Sequence, residues 1–218
     1  MGLYWNTLRM AKRNFDSGTM KRVKNHWHTK GIELAAILTT RCNLHCDYCP
    51  MFYSDKKGAF DSKYPKYKES TLEEWKEYFL RFPFWASQIY ITGGEPTLMS
   101  WVSDLVNWLV DRGHHVILFS NLKKPENLYN IKKSFRFVCY PTYHKSDSYA
   151  NFRLALAKLR EHTKFRIMIK ELEKKGKFDS EYKEYYTDEW FFDGNALLHI
   201  SPDLKIHWGC VDAYLGGK

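Results

Sequence analysis

Three of the five cysteines fall within eight consecutive positions, in the stretch TRCNLHCDYCP. Cys42, Cys46 and Cys49 are spaced as C-x3-C-x2-C, and thiolates are the soft ligands that select zinc, copper(I) or iron–sulfur clusters. Structural zinc sites and iron–sulfur electron carriers normally use four ligands, and we interpret His45 as a loop residue rather than as the fourth. Three ligands on a four-iron cube leave one iron open, so the pattern indicates a centre that can bind and reduce a small molecule.

The remaining two cysteines, Cys139 and Cys210, lie far along the chain, and we expect each to be a buried or incidental thiol. An odd cysteine count without a basic, apolar and small-residue signal peptide argues against a secreted disulfide framework and predicts a cytoplasmic protein. No run reaches the roughly 20 apolar residues of a membrane helix, so we expect no membrane association.

The elements that must position the cysteines alternate from residue 33 onward between short apolar runs and helical patterns, which is typical of βαβ units. Strands are predicted at residues 33–40, 87–91, 115–121, 135–140, 164–170 and 196–201, and helices from Ser70 or Thr71 to about residue 82, at 100–112 and at 149–162. About six such repeats predict an open doubly wound sheet or a curved, incomplete barrel. The cysteines directly follow the first strand and the segment TGGEP follows the second, where the chemistry of such barrels is placed.

These two segments resemble the motifs of one family. CNLHCDYC matches the C-x3-C-x-aromatic-C motif of the radical S-adenosylmethionine (radical SAM) enzymes, and TGGEP matches their second motif after the second strand. The resemblance implies an α/β fold, a partial (βα)6 radical SAM barrel. We divide the chain into a basic arm (1–32), this barrel (33–204) and a short C-terminal extension (205–218).

The resemblance also implies roles for individual residues. Cys42, Cys46 and Cys49 would hold a [4Fe-4S] cluster whose open iron is chelated by S-adenosyl-L-methionine. The implied contacts of that cofactor are Tyr48, Gly93, Gly94, Glu95, Pro96, Ser120 and Asn121. Many relatives have Thr-Asn-Gly where this chain has Ser120-Asn121-Leu122, so the chain departs from the pattern at its third position.

By that resemblance the protein is an enzyme that cleaves S-adenosylmethionine reductively to a 5′-deoxyadenosyl radical, which abstracts a hydrogen atom from substrate. It would need a low-potential electron donor such as a flavodoxin or ferredoxin. The net charge of +9 suits an acidic donor as well as RNA or an acidic peptide. Because the C-terminal segment carries only Cys210, we expect a single cluster.

The substrate stays open at this point. A peptide, a protein or a small molecule comes first, and a glycyl-radical enzyme, a nucleoside or tRNA is the alternative; the Lys- and Tyr-rich segment 51–69 would suit a nucleotide or serve as a lid. Substrate contacts are expected after the later strands, at Tyr140, His144, Lys170 and His199. A remote alternative is a non-enzymatic zinc or nucleic-acid-binding module, but such a module has no use for TGGEP.

Overall fold

A computed structural model describes residues 32–44, 68–82, 86–144, 147–171 and 197–208. Its strands are β1 (Ile32–Ile37), β2 (Ala86–Thr92), β3 (His115–Ser120), β4 (Phe137–Tyr143), β5 (Arg166–Ile167), β6 (Lys170–Glu171), β7 (Leu197–Ile200) and β8 (Ile206–Trp208). Its helices are α1 (Leu72–Arg81), α2 (Val102–Asp111) and α3 (Tyr149–His162), with short 3₁₀ helices at Pro96–Leu98 and Pro125–Leu128. Residues 1–31 of the basic arm, most of the 51–69 segment and the charged stretch 172–189 lie outside the described residues.

One sheet contains the strands in the order β5-β4-β3-β2-β1-β7-β8, and β6 pairs with β4 beyond β5. Every pairing is parallel except the hairpin of β7 with β8. Strands β1 to β7 are therefore parallel and form an open α/β sheet within the described ranges, with six strands when β5 and β6 are counted as the single strand that the sequence predicts. Because all six run the same way, their carboxyl ends meet along one edge, and that edge positions the candidate site.

The place of the last parallel strand differs from a simple succession of repeats. The strand predicted at 196–201 lies beside β1, with Ala35 opposite His199, and not beside the strand that precedes it in the chain. A run of apolar residues predicts a strand but does not say which free edge of the sheet it joins. Strand β1, which leads into the cysteine segment, consequently lies between β7 on one side and β2 on the other.

Two further strand boundaries differ from prediction. β4 extends past Tyr140 to Tyr143, and it accommodates Pro141 opposite Ser120 of β3, although proline lacks the N–H that usually continues a strand. The predicted strand 164–170 is divided into β5 and β6, both of which pair with β4. Between β3 and β4 the connection contains only a 3₁₀ helix, so this repeat has no α-helix.

The helices cover one face of the sheet, and their sequences explain where they begin. Thr71 caps α1 in a capping box, because its hydroxyl accepts from Glu74 N and the Glu74 carboxylate accepts from Thr71 N. Trp75 of α1 is fully buried in the main core against the apolar side chains of β1 to β4. None of the described helices is both long and apolar enough to cross a membrane.

The other face of the sheet carries a smaller aromatic cluster. Tyr90, Phe119 and Tyr140 lie on neighbouring strands with ring centroids 6.4 and 5.4 Å apart. The Tyr140 hydroxyl contacts Met168 Sδ at 3.3 Å. This aromatic face is separate from the main core, and Tyr90 and Tyr140 are buried in it while Phe119 is partly buried.

Candidate active site

The segment that leads into Cys42 is fixed by backbone hydrogen bonds to the TGGEP segment. Gly94 N donates to Thr39 O at 2.7 Å, and Glu95 N donates to Arg41 O at 2.8 Å. These bonds continue the pairing of β1 with β2 past the ends of both strands. The two segments singled out by their sequences are therefore in direct contact, and Cys42 follows immediately after the last of these bonds.

Gly93 and Gly94 are required by this contact. A Cβ on Gly94 would lie 2.1 Å from Arg41 O, and one on Gly93 would lie 2.5 Å from Thr39 O. Gly93 also has a φ of 147°, which side chains of L-residues rarely adopt. The glycines thus allow the backbone of the segment before Cys42 to approach the end of β2. This packing role does not depend on a bound cofactor.

Glu95 is buried, with 1% of its surface exposed, and its carboxylate joins the ends of β2 and β3. Oε1 accepts from Thr97 N at 2.9 Å, from the Thr97 hydroxyl at 2.6 Å and from the Ser120 hydroxyl at 2.7 Å, while Oε2 accepts from Asn121 N at 2.7 Å. Burial raises the pKa of Glu95, and the hydrogen bonds from Thr97, Asn121 and Ser120 oppose that rise. Pro96 begins the buried 3₁₀ turn that carries Thr97.

None of the described groups that hydrogen-bond Glu95 is a cation. Two of its four donors are backbone N–H groups, which can only donate, so the pattern fits an ionised carboxylate. A buried carboxylate held by neutral donors is complemented by a positive group.

Asn121 reaches from the end of β3 to the cysteine segment. Its Nδ2 lies 3.8 Å from Cys42 Sγ and donates to Asn43 Oδ1 at 3.0 Å. Leu44 N also donates to Cys42 Sγ, at 3.4 Å. Two N–H groups thus point at the sulfur of Cys42, and such donors favour a thiolate, which is the form that binds metal.

The surroundings of Cys42, with two N–H donors at its sulfur, fit a ligand of the iron–sulfur cluster that the cysteine spacing predicts. Cys46, Cys49, Tyr48 and Cys210 lie outside the described residues. Within those residues, His, Cys, Asp and Glu side chains nowhere gather in a group of three suited to a metal ion. Cys139 is fully buried in the main core, where burial and, secondarily, Glu95 raise the pKa of its thiol, and it is a packing residue as predicted.

Arg41 and Glu69 form a clamp that the sequence pattern did not predict. Arg41 donates through Nε and Nη2 to the two carboxylate oxygens of Glu69, each at 2.7 Å, and the Thr39 hydroxyl donates to the same carboxylate. Glu69 stands 28 positions after Arg41, so the clamp closes the chain segment that contains all three cysteines. No local signal in the sequence indicates a pair so far apart.

The four candidate substrate residues lie in or directly after strands β4, β6 and β7 and differ in their surroundings. Tyr140 and His199 are each 4% exposed and lie within strands, Tyr140 on the aromatic face and His199 in β7 beside β1. His144 follows β4, and burial lowers its pKa to about 4 although Asp147 opposes the shift, so its ring is neutral near pH 7. Lys170 lies in β6, and its side chain is outside the described set.

Comparisons with known proteins bear on the family and the fold. A family model described as the radical SAM superfamily matches residues 36–169. The fold resembles Streptococcus suis SuiB bound to the precursor peptide SuiA, with a TM-score of 0.51, 14% identity, and coverage of 88% of this chain and 46% of that chain. SuiB bound to S-adenosylmethionine gives a TM-score of 0.47 with 19% identity over 79% of this chain and 40% of that one.

BtrN in complex with AdoMet and 2-DOIA gives a TM-score of 0.40 with 17% identity, over 62% of this chain and 56% of that chain. Curated proteins give no match. The chain spans less than half the length of SuiB. Among these structures the likeness to peptide-bound SuiB supports the fold, and the family model covers both the cysteine segment and TGGEP.

Proposed function

The chain belongs to the radical SAM superfamily of enzymes, and from that premise we propose that Cys42, Cys46 and Cys49 hold a [4Fe-4S] cluster to which S-adenosylmethionine binds. When bound, these cofactors supply reductive cleavage of the sulfonium and a 5′-deoxyadenosyl radical that takes a hydrogen atom from substrate. The observation that carries the proposal is the backbone connection of Glu95 and Gly94 to the segment before Cys42.

The chain's own residues would bind and orient the cofactor. Glu95 offers a buried carboxylate held by neutral donors, which suits the amino group of S-adenosylmethionine, and the backbone of Gly93 and Gly94 packs against the segment before Cys42. Ser120 and Asn121 hold that carboxylate in place. We keep Tyr48 as an expected contact of the adenine, and Pro96 as the residue that sets the turn after Glu95.

We propose a peptide or protein as the substrate class. SuiB, whose fold this chain shares, is described in complex with a precursor peptide. A substrate would reach the site from the carboxyl edge of the sheet, because Tyr90 and Tyr140 are buried within the strands. A peptide would lie along the carboxyl ends of the strands, where His144 is placed.

The electron for the cluster would come from an acidic, low-potential flavodoxin or ferredoxin, which the net charge of +9 would attract. An open iron is sensitive to oxygen, so we place the enzyme in the reducing cytoplasm. Association with an acidic donor of this kind weakens steeply with ionic strength.

The decisive test is anaerobic reconstitution with iron and sulfide, followed by dithionite, S-adenosylmethionine and chromatography for 5′-deoxyadenosine. We expect 5′-deoxyadenosine from the wild-type chain and none from Cys42→Ala. The matched control is Cys139→Ala, which removes a buried core thiol and should retain the cluster and its product.

Equal loss of product in both cysteine variants would contradict the assignment of Cys42. Iron near four per chain is expected for one cluster, and iron near eight would contradict the single-cluster prediction. The substrate class is tested by adding peptides, tRNA or a glycyl-radical enzyme to the reconstituted enzyme and following loss of a deuterium label from the substrate into 5′-deoxyadenosine. Transfer from tRNA or from a glycyl-radical enzyme alone would contradict the peptide proposal.

A further inference from the structure

The side-chain amide of Asn121 is directed at the sulfur of a cluster ligand. We propose that Asn121 is a positioning residue that sets the reduction potential of the cluster through a hydrogen bond to Cys42 Sγ. This inference rests on the proposed function, because it takes Cys42 as a ligand. It assigns Asn121 to the cluster, whereas the resemblance assigned it to S-adenosylmethionine.

Three hydrogen bonds determine which way the amide of Asn121 faces. Oδ1 accepts from Lys123 N at 3.0 Å, and a backbone N–H can only donate, so the oxygen must lie on that side. The NH2 group then faces the cysteine segment, where it donates to Asn43 Oδ1 at 3.0 Å and lies 3.8 Å from Cys42 Sγ. Because Asn43 can take only one of the two amide protons, the other is available to the sulfur.

The backbone of Asn121 is held as firmly as its side chain. Its N–H donates to Glu95 Oε2 at 2.7 Å, and the residue is 4% exposed. The next residue, Leu122, has a φ of 59°, and its N–H donates to the Ser120 hydroxyl at 2.9 Å. A left-handed conformation is strained for residues other than glycine, and such strain clusters at functional sites. Here the turn directly follows Asn121, whose side chain reaches the cysteine segment.

A donor on a ligand sulfur changes how readily the cluster takes an electron. Reduction adds negative charge that is shared with the thiolate ligands, and an N–H dipole stabilises that charge more in the reduced state than in the oxidised state. Hydrogen bonds to the sulfurs are among the factors that set iron–sulfur potentials. The amide of Asn121 therefore raises the potential and makes the cluster easier to reduce.

The test is an EPR-monitored redox titration of the reconstituted full-length chain without S-adenosylmethionine, with iron content measured in parallel. Asn121→Leu removes the donor without adding charge, and Asn121→Asp replaces it with a carboxylate beside the sulfur. We expect four irons per chain in each, and a midpoint potential that falls from wild type to Asn121→Leu and further to Asn121→Asp.

The matched control is Asn107→Asp. Asn107 has the same pattern of bonds, since Oδ1 accepts from Lys132 N and Nδ2 donates to a backbone carbonyl, that of Asn130, but its described bonds involve no sulfur. The midpoint potential of the cluster in Asn107→Asp should equal that of wild type. Should Asn121→Leu fail to fold, Asn121→Asp carries the test, because it keeps an acceptor for Lys123 N.

An Asn121 variant with four irons and the wild-type potential, or with a higher one, would overturn this inference and leave the proposed function intact. A wild-type chain that takes up no [4Fe-4S] cluster would overturn both. A shift of equal size in Asn107→Asp would show a general effect of charge and would also overturn the inference.

Discussion

Replacing Gly94 with alanine should destroy the cluster site while leaving a folded protein. The new Cβ would lie 2.1 Å from Arg41 O, 2.5 Å from Arg41 C and 2.8 Å from Thr40 O. All three are backbone atoms, so no flexible side chain can move aside. Reaching even 3.0 Å from Arg41 O requires a displacement of about 0.9 Å in the segment that leads directly into Cys42.

The magnitude follows from what that displacement breaks. Overpacking costs about 1–3 kcal/mol, and the bonds of Gly94 N to Thr39 O and of Glu95 N to Arg41 O contribute about 1 kcal/mol each. Since part of the strain is relieved when the bonds break, we expect a loss of about 2–4 kcal/mol. For a chain of this size, that lowers the melting temperature by roughly 5–15 °C.

Thermal unfolding followed by circular dichroism and iron content after reconstitution together test this reasoning. The control is Gly113→Ala, at a glycine that follows α2 and lies outside the cysteine segment. Its φ is 93°, so alanine should cost about 1–2 kcal/mol of stability there as well. We expect Gly113→Ala to keep its iron and Gly94→Ala to lose it. A Gly94→Ala protein that melts like wild type with four irons would refute the account of the contact.

Three further predictions concern single positions. Leu122 has a φ of 59°, where glycine is favoured over alanine, so Leu122→Gly should be about 1 kcal/mol more stable than Leu122→Ala in urea unfolding. Equal urea midpoints for the two variants would contradict backbone strain at Leu122. Burial alone would raise the pKa of Glu69, but the hydrogen bonds from Arg41 and Thr39 and the charge of Arg41 lower it. A lowered carboxyl pKa stabilises the fold above the ordinary value of about 4.3 and ceases to do so as pH falls through the lowered pKa. The difference in unfolding free energy between wild type and Glu69→Gln should therefore be largest near pH 7 and shrink in acid, whereas a difference that is constant with pH would contradict the clamp. His144, whose pKa burial lowers to about 4, should titrate near that pH by NMR, and its protonation should oppose folding as pH falls below about 6.5; a midpoint at or above 6.5 would contradict its burial.

The sequence predicts the repeating elements well because their signals are local. The pattern at Thr71 and Glu74 marks the start of α1, and helix α3 spans Tyr149–His162 as the pattern predicts. The position of β7 beside β1 was not predictable, since both edges of a parallel sheet offer the same backbone hydrogen bonds. The predicted fourth strand ends at Tyr140, whereas β4 continues to Tyr143 with Pro141 opposite Ser120, a pairing that the sequence does not show.

The candidate site was predictable where residue types are unusual and not where they act through distant partners. Three clustered cysteines and two adjacent glycines stand out in any sequence. The clamp of Arg41 and Glu69 joins two ordinary charged residues 28 positions apart, and only the fold brings them together. The departure from the family pattern at Leu122 is visible in the sequence, but its physical meaning comes from the positive φ.

Glu95 shows why stability and cofactor binding must be measured together at this site. Its N–H holds the segment before Cys42, and its carboxylate holds Asn121, whose amide in turn faces the Cys42 sulfur. One residue therefore connects the carboxyl ends of β1, β2 and β3 before any cofactor arrives. Loss of activity in Glu95→Gln would follow either from a missing charge beside the amino group of S-adenosylmethionine or from a displaced cysteine. The two causes separate by iron content, because a missing charge leaves the cluster in place and weakens S-adenosylmethionine binding, whereas a displaced Cys42 loses the cluster itself.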